Sequence, residues 1–381
     1  MAPREPSLTL GVEEEYLLVD RETGDLAVEP PKGFMEGCKA ALGDQVTHEF
    51  LQAQVEIGTE VCKDVAAVRR ELVRLRRTIA SCAAGHGLAL LAVSTHPWAN
   101  WREQKPVDMD RYRILAEDFQ SLARRLVICG MHVHAGIEDD DLRVDLMNQC
   151  VYFLPHLLAL SSSSPFWEGQ ETGLKSFRPT IFGDMPRSGL PETFNSFAEW
   201  QDLLGTMART GVCDDPTKIW WDIRPSAKHP TLEMRACDVC TRLDDALAVA
   251  ALYQSILAFL FRLRSQNQSW RLYRRVLVED NKWRAQRYGV EGRMADFGQQ
   301  ELKPFADLVE ELVGLVRREA EGLGCLAELD RARDIVAGGT SADGQVRVYR
   351  GALADGADEA EARRAVVMWL IEESLADVPL A

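Results

Sequence analysis

The segment LGVEEEY, residues 10–16, decides the fold. Its alternation is that of a β-strand: Leu10, Val12, Tyr16 and Leu18 point one way, while Gly11, Glu13 and Glu15 point the other. Glu14 falls on the apolar side, where alternation alone gives it no reason to be. Glu13-x-Glu15 therefore places two carboxylates on one strand face. Acid pairs are ordinary on solvent-facing edges, so the meaning of this one depends on what the neighbouring strands bring.

Working outward, residues 46–59 read as a second strand, with Gln52, Gln54 and Glu56 sharing a face. Residues 65–82 are helical, since Val68, Leu72, Leu75, Ile79 and Cys82 recur at spacings of three and four, and Gly85 and Gly87 end the helix. LALLAVS (88–94) is a buried strand, and 108–128 an amphipathic helix with Tyr112, Leu115, Phe119, Leu122 and Leu126 inward. CGMHVHAGI (129–137) is a strand that sets His132 and His134 on one face, opposite Met131, Val133 and Ala135. A helix over 142–160 leads into a Ser-, Gly- and Pro-rich loop from Ser161 to about Pro191. KIWWDIRPS (218–226) and TLEMRAC (231–237) form a hairpin with its turn near Lys228-His229-Pro230, and from Arg242 onward the chain is mainly helical. No repeat or linker divides it. Strands mixed with helices through residues 8–237 predict one α+β domain, residues 1–381, with an antiparallel sheet and a helical last third.

Composition narrows the function. With 381 residues, 46% of them hydrophobic and 27% charged, the chain can build a large core without disulfides. A net charge of −15 argues against nucleic acid, which needs a basic surface. The odd count of nine cysteines reads as reduced, intracellular thiols, and the N-terminus shows no apolar signal region, so a cytoplasmic location is expected. The apolar stretch from Ala246 to Leu263 is interrupted by Tyr253, Gln254, Ser255 and Arg262, which fits a buried helix better than a membrane span. Cys237-x-x-Cys240 lacks a second matching pair and reads as buried structural thiols.

Four strands thus each offer groups of one chemical kind. Glu13 and Glu15, Glu56, the histidines 132 and 134, and Glu233 are acids or imidazoles suited to magnesium or manganese beside a phosphate. Arg224 and Arg235, on the two arms of the hairpin, suit a phosphate or carboxylate held by paired hydrogen bonds, or ordinary ion pairs with Asp222 and Glu233. The glycines in GMHVHAG let a ligand approach the backbone. No P-loop pattern is present.

Taken in order, LGVEEEY (10–16), QAQVEIGT (52–59), GMHVHAGI (130–137), SSPFWEGQETGLKSFRP (163–179), FGDMPRSGLP (182–191), IRPSAKHPTLEMRACD (223–238) and EDNKWRAQRYG (279–289) resemble the carboxylate-amine ligase family, related to glutamate–cysteine ligase. The resemblance runs from about residue 8 to about residue 375. It implies a glutamine synthetase-like catalytic fold: a curved, mainly antiparallel sheet with helices on its outer face. It implies an ATP- and Mg2+-dependent ligase (Mn2+ as an alternative) that activates a carboxylate, L-glutamate, as an acyl phosphate and joins it to an amine such as L-cysteine, in a homodimer. Residue by residue, Glu13, Glu15, Glu56, His132 and Glu233 match metal positions at the ATP phosphates. His134 and Arg224 match positions near the nucleotide or the transferred phosphoryl group, and Arg235 one that contacts phosphate or the substrate carboxylate, so Arg224 and Arg235 are the catalytic candidates. Arg178 and Arg187, in a loop resembling a flap over the substrate, and Asn281 and Arg284 match substrate contacts. At Leu174-Lys175 the chain departs from the Gly-Tyr-like pair of the family.

Two other functions use similar groups. A phosphotransferase to a guanidino or carboxylate acceptor would release ADP without forming an amide. A regulator that binds metal or nucleotide without turnover would need the pocket alone.

Overall fold

In the computed structural model, which describes residues 4–379, strand β1 (Leu10–Asp20) occupies the middle of a seven-stranded antiparallel sheet. The others are β2 (Val46–His48), β3 (Gln54–Gly58), β4 (Leu88–Leu91), β5 (Gly130–Gly136), β6 (Ile223–Pro225) and β7 (Thr231–Asp238). They lie in the order β6-β7-β5-β1-β3-β2, with β4 on the second half of β1. The apolar face of the sheet packs against three helices, β1 against α1 (Val65–Ala84), β7 against α2 (Leu154–Ser161) and β5 against α3 (Leu243–Ser265), within a core that extends through the C-terminal helices. Asp64 starts α1 by accepting the Ala67 amide hydrogen at 2.7 Å. Helix α3 is long and apolar enough to cross a membrane by length and composition, yet 78% of its most apolar stretch is buried inside the protein.

Register places the chemistry-bearing residues side by side. Glu13 pairs with His132 on one flank of β1, and Glu15 pairs with Glu56 on the other. Glu233 faces His134 across β7 and β5, and Arg224 faces Glu233 across β6 and β7. A bulge between Met234 and Cys237 shifts the register of β7, after which Cys237 and Asp238 pair with Met131 and Gly130.

Glu14 is explained by what lies behind the sheet. It is fully buried and forms a two-pronged ion pair with Arg76 of α1, at 2.5 and 2.9 Å, and it also accepts the Tyr16 hydroxyl. Arg76 spends its remaining donors on the carbonyls of Cys240, Thr241 and Ser374. A single buried guanidinium thus ties β1, the end of β7 and the C-terminal helix together.

Several expectations need revision. Residues 46–59 are a hairpin of two short strands, not one strand; Gln54 turns inward to accept the Leu51 amide and donate to the Ile128 carbonyl, closing the turn, and Gln52 lies outside the ladder. The helix expected over 108–128 breaks at Gln120, whose φ of +50° ends Asp110–Phe119 before Ser121–Arg124 begins. The helix over 142–160 is interrupted by a 3-10 turn at Val151–Phe153, where Pro155 enters the first turn of α2 and supplies no amide hydrogen. Trp220–Trp221 pair in parallel with Ser188–Gly189 rather than continuing the β6 hairpin. Helices Lys32–Leu42 and Phe197–Arg209, and the hairpin Arg293–Asp296/Glu301–Pro304 in the helical last third, were not foreseen. Cys237 and Cys240 are buried free thiols.

Candidate active site

The polar face of the sheet gathers the strand-borne groups into one cluster. Glu13 Oε2 lies 2.9 Å from His132 Nδ1, and Glu13 Oε1 lies 3.5 Å from His134 Nε2. Glu233 is gripped by two guanidiniums: Arg224 at 2.9 and 3.0 Å, and Arg235 through Nη1. Arg235 Nη1 also stands 3.3 Å from His132 Nδ1. One ligand atom each from Glu13, His134 and Glu233 can be chosen so that all lie within 4.8 Å of one another.

The electrostatics follow from burial and these partners. Burial alone would raise Glu13, but the hydrogen bonds and charges of His132 and His134 outweigh it and hold the carboxyl well below its ordinary range. Glu233 is also resisted by burial and pulled far down by Arg235 and Arg224, so it stays ionised. Burial, reinforced by Arg235, drives His132 down to about 4, leaving a neutral imidazole at neutral pH. Among the described residues, Nε2 of His132 is buried without a hydrogen-bond partner, while Nε2 of His134 has Glu13 Oε1 at 3.5 Å. An orphaned imidazole nitrogen beside ionised carboxylates suits a divalent cation, the carboxylates favouring the magnesium or manganese type.

On the other flank of β1, three acids crowd together. Glu15 is pushed up to about 7, first by burial and further by Glu56, against the opposing pull of Arg178 and the Gly130 amide, which donates at 2.7 Å. Glu49 is likewise raised to about 7, and Glu56, hydrogen-bonded to it, well above the carboxylate range, burial leading in both. Like charges held this close favour either shared protons or a cation. Glu49 escaped the sequence reading because it sits in the β2–β3 turn, outside any alternating pattern; recognising residues 46–59 as a hairpin would have exposed it.

Next to this cluster opens a cleft lined by Arg178, Phe182, Trp220, Asp222, Arg235 and Lys282, among others. Arg235 belongs to both regions. Arg178 is 4% exposed, its Nε has no hydrogen-bond partner among the described residues, and its Nη1 reaches the Arg235 carbonyl at 3.4 Å. A buried guanidinium without a bonded carboxylate is matched to an incoming anion. Asp222 pairs with Lys282 at 2.5 Å rather than with either arginine. Trp220 borders the cleft, while Trp221 is buried against Trp200 and Phe194. Arg187 donates to the Lys218 carbonyl at 3.2 Å and lies over the rings of Phe119 and Trp220, so it borders the cleft wall. Asn281 uses both ends of its amide on the Ala295 backbone, at 2.9 and 2.8 Å, and Arg284 pairs with Asp280 on its own helix. From that helix, Arg275–Tyr288, the side chain that enters the cleft is Lys282, which the sequence reading did not single out. Lys175, at the departure noted in the loop, ties that loop to Glu291 and Asp343.

An antiparallel sheet that presents acids, imidazoles and guanidiniums beside an anion-seeking cleft defines a class of enzyme that handles phosphoryl groups and carboxylates. The comparisons agree. Residues 9–366 match the model of glutamate–cysteine ligase family 2. A Rhodospirillum rubrum protein named "Putative glutamate--cysteine ligase 2" is 55% identical over 377 residues, covering 98% of this chain and 97% of that one. A Jannaschia protein of the same name is 50% identical over 370 residues, with 97% of both covered. Among solved structures, glutamate–cysteine ligase from Francisella tularensis, in complex with AMP, superposes with a TM-score of 0.65 at 14% identity, covering 99% of this chain and 94% of that one. A bifunctional glutathione synthetase from Pasteurella multocida gives 0.69 at 15% identity, over 96% of this chain and 52% of its own. At these identities the structural likeness speaks for the fold. The chain belongs to glutamate–cysteine ligase family 2 and is an ATP-dependent ligase that forms an amide bond.

Proposed function

We propose that the protein joins L-glutamate, through an acyl phosphate, to a small amine of the L-cysteine type. The single observation that carries this reading is Arg235: it bonds Glu233 in the acid–imidazole cluster and lines the cleft that holds the unpaired Arg178. One arginine therefore spans the place for a triphosphate and the place for an acid.

In this reading a carboxylate oxygen of the acid attacks the γ-phosphorus of ATP, and ADP leaves. The amine nitrogen then attacks the acyl carbon, phosphate departs, and the amide forms. Glu13, Glu15, Glu56, His132 and Glu233, with Glu49 added by the structure, would hold Mg2+ or Mn2+, which when bound neutralises triphosphate charge. Neutral His132 and ionised Glu13 and Glu233 are already in the protonation states that such binding requires. Arg224 fixes Glu233 in place, His134 and Arg224 face the nucleotide side, and Arg235 steadies the transferred group. Arg178 receives the non-reacting carboxylate of the acid, with Arg187 at the cleft wall. Lys282 supplies the helix contribution first assigned to Asn281 and Arg284. One core cluster draws on residues from Leu8 to Val378, which supports treating 1–381 as a single catalytic unit.

The test is ADP release by purified protein given ATP, Mg2+, L-glutamate and a panel of amines, with product mass spectrometry. Amide of the expected mass is the supporting result. ADP release without amide would move the reading to a phosphotransferase, and nucleotide binding without turnover to a regulator.

A further inference from the structure

Arg178 is held by more than its own packing. It opens the short helix Arg178–Phe182, and its main-chain N–H donates to Ser164 Oγ at 3.1 Å, as does that of Phe177 at 2.8 Å. Ser164 Oγ in turn donates to Asp238 Oδ2 at 2.7 Å, and the same carboxylate oxygen accepts the Ser163 amide hydrogen at 2.9 Å. Asp238 is the last residue of β7 and, like Ser164, is fully buried. The guanidinium of Arg178 lies flat on Gly130, the first residue of β5, so closely that a methyl group there would come within 2.3 Å of Nη2. Gly130 is also the backbone donor to Glu15. Asp238 Oδ1, Ser176 Oγ and Arg178 Nε, all buried, lack hydrogen-bond partners among the described residues. The sheet that carries the acid cluster therefore also sets the seat of the cleft arginine, through a serine hydroxyl that accepts hydrogen bonds from two amides and donates one to a buried carboxylate.

We infer that Asp238 and Ser164 are positioning residues that fix Arg178 in the cleft and so set the affinity for the acid substrate. The inference rests on the reading of Arg178 as the contact to the acid's non-reacting carboxylate. Neither residue touches the cleft; each acts through the backbone that carries Arg178. A small displacement of a charged contact weakens binding steeply, because the bidentate geometry is lost before the charge is. Asp238→Asn keeps an oxygen that can accept from Ser163 and Ser164. Asp238→Ala and Ser164→Ala do not preserve the connection.

The probe is L-glutamate. Its dissociation constant is measured by calorimetry in the presence of Mg2+ and a non-hydrolysable ATP analogue, alongside KM and kcat from ADP release. Ser164→Ala and Asp238→Ala should raise the dissociation constant and KM for L-glutamate about tenfold or more while KM for ATP stays within about twofold. Asp238→Asn should restore wild-type affinity. The double variant Ser164→Ala/Arg178→Gln should bind no more weakly than Arg178→Gln, since one residue acts through the other. Additive losses, or a fall in kcat at unchanged KM, would overturn the positioning role while leaving Arg178 in place. Wild-type affinity in Arg178→Gln, or no binding of L-glutamate by the unaltered protein, would overturn the reading beneath it as well.

Discussion

Replacing Arg76 by methionine keeps an unbranched apolar stem and removes the guanidinium with its charge. Three consequences follow from the contacts it makes. Glu14, fully buried, loses the guanidinium that it pairs with. The carbonyls of Cys240, Thr241 and Ser374 lose a donor. Tyr16, whose hydroxyl also donates to Glu14, is left as the remaining partner of the acid. Removing one member of a buried ion pair costs about 3–5 kcal/mol, and the orphaned carbonyls favour the upper part of that range. At about 2.1 cal/mol/K per residue, 381 residues give an unfolding entropy of about 0.8 kcal/mol/K, so Tm should fall by about 4–6 °C. Calorimetry on the metal-free protein reads this directly. The control is a double-mutant cycle with Glu14→Gln: the two changes together should cost less than the sum of the single losses, by about 0.5–3 kcal/mol. Because Glu14 lies between Glu13 and Glu15, activity should fall with stability. A loss in Tm below about 1 °C, or strict additivity in the cycle, would refute the idea that this pair anchors the catalytic strand.

Glu233→Gln should lower ligase activity by about a hundredfold or more while circular dichroism is unchanged, because an amide cannot balance Arg224 and Arg235 or serve as an anionic ligand. The same variant, followed by the spectrum of Mn2+, should bind that ion about 10–100-fold more weakly; wild-type affinity would take Glu233 out of the ion site. Gly130→Ala forces the Arg178 guanidinium off its seat and should raise KM for the acid, with a stability loss of about 1–3 kcal/mol seen in urea; unchanged KM would separate the seat from binding. Burial holds His156 down at about 4, whereas the unfolded chain protonates near 6.5. Its contribution is therefore present above about pH 6.5 and is lost as pH falls toward 4, up to about 3 kcal/mol. His156→Phe, which keeps the ring among Phe153, Tyr152 and Phe305, should flatten the acid limb of urea stability measured between those pH values.

The alternation of LGVEEEY and GMHVHAG was enough to set Glu13 and Glu15 on one face of one strand and His132 and His134 on one face of another, because a strand's period of two is a local property of the chain. Composition likewise established a core-forming chain with an acidic net charge. Which strands lie next to each other is not local. The pairing of Glu13 with His132, and of Glu233 with His134, depends on contacts between residues more than a hundred positions apart in one case and nearly so in the other. The same limit hid Glu49 in its turn, Lys282 on its helix, and the reason for Glu14, whose partner Arg76 approaches from a helix across the core. Sequence thus determined what each segment carries and which way it points. Tertiary structure decided which charges share a low-dielectric space, and charge interactions, which fall with distance in space and not along the chain, take their meaning from that.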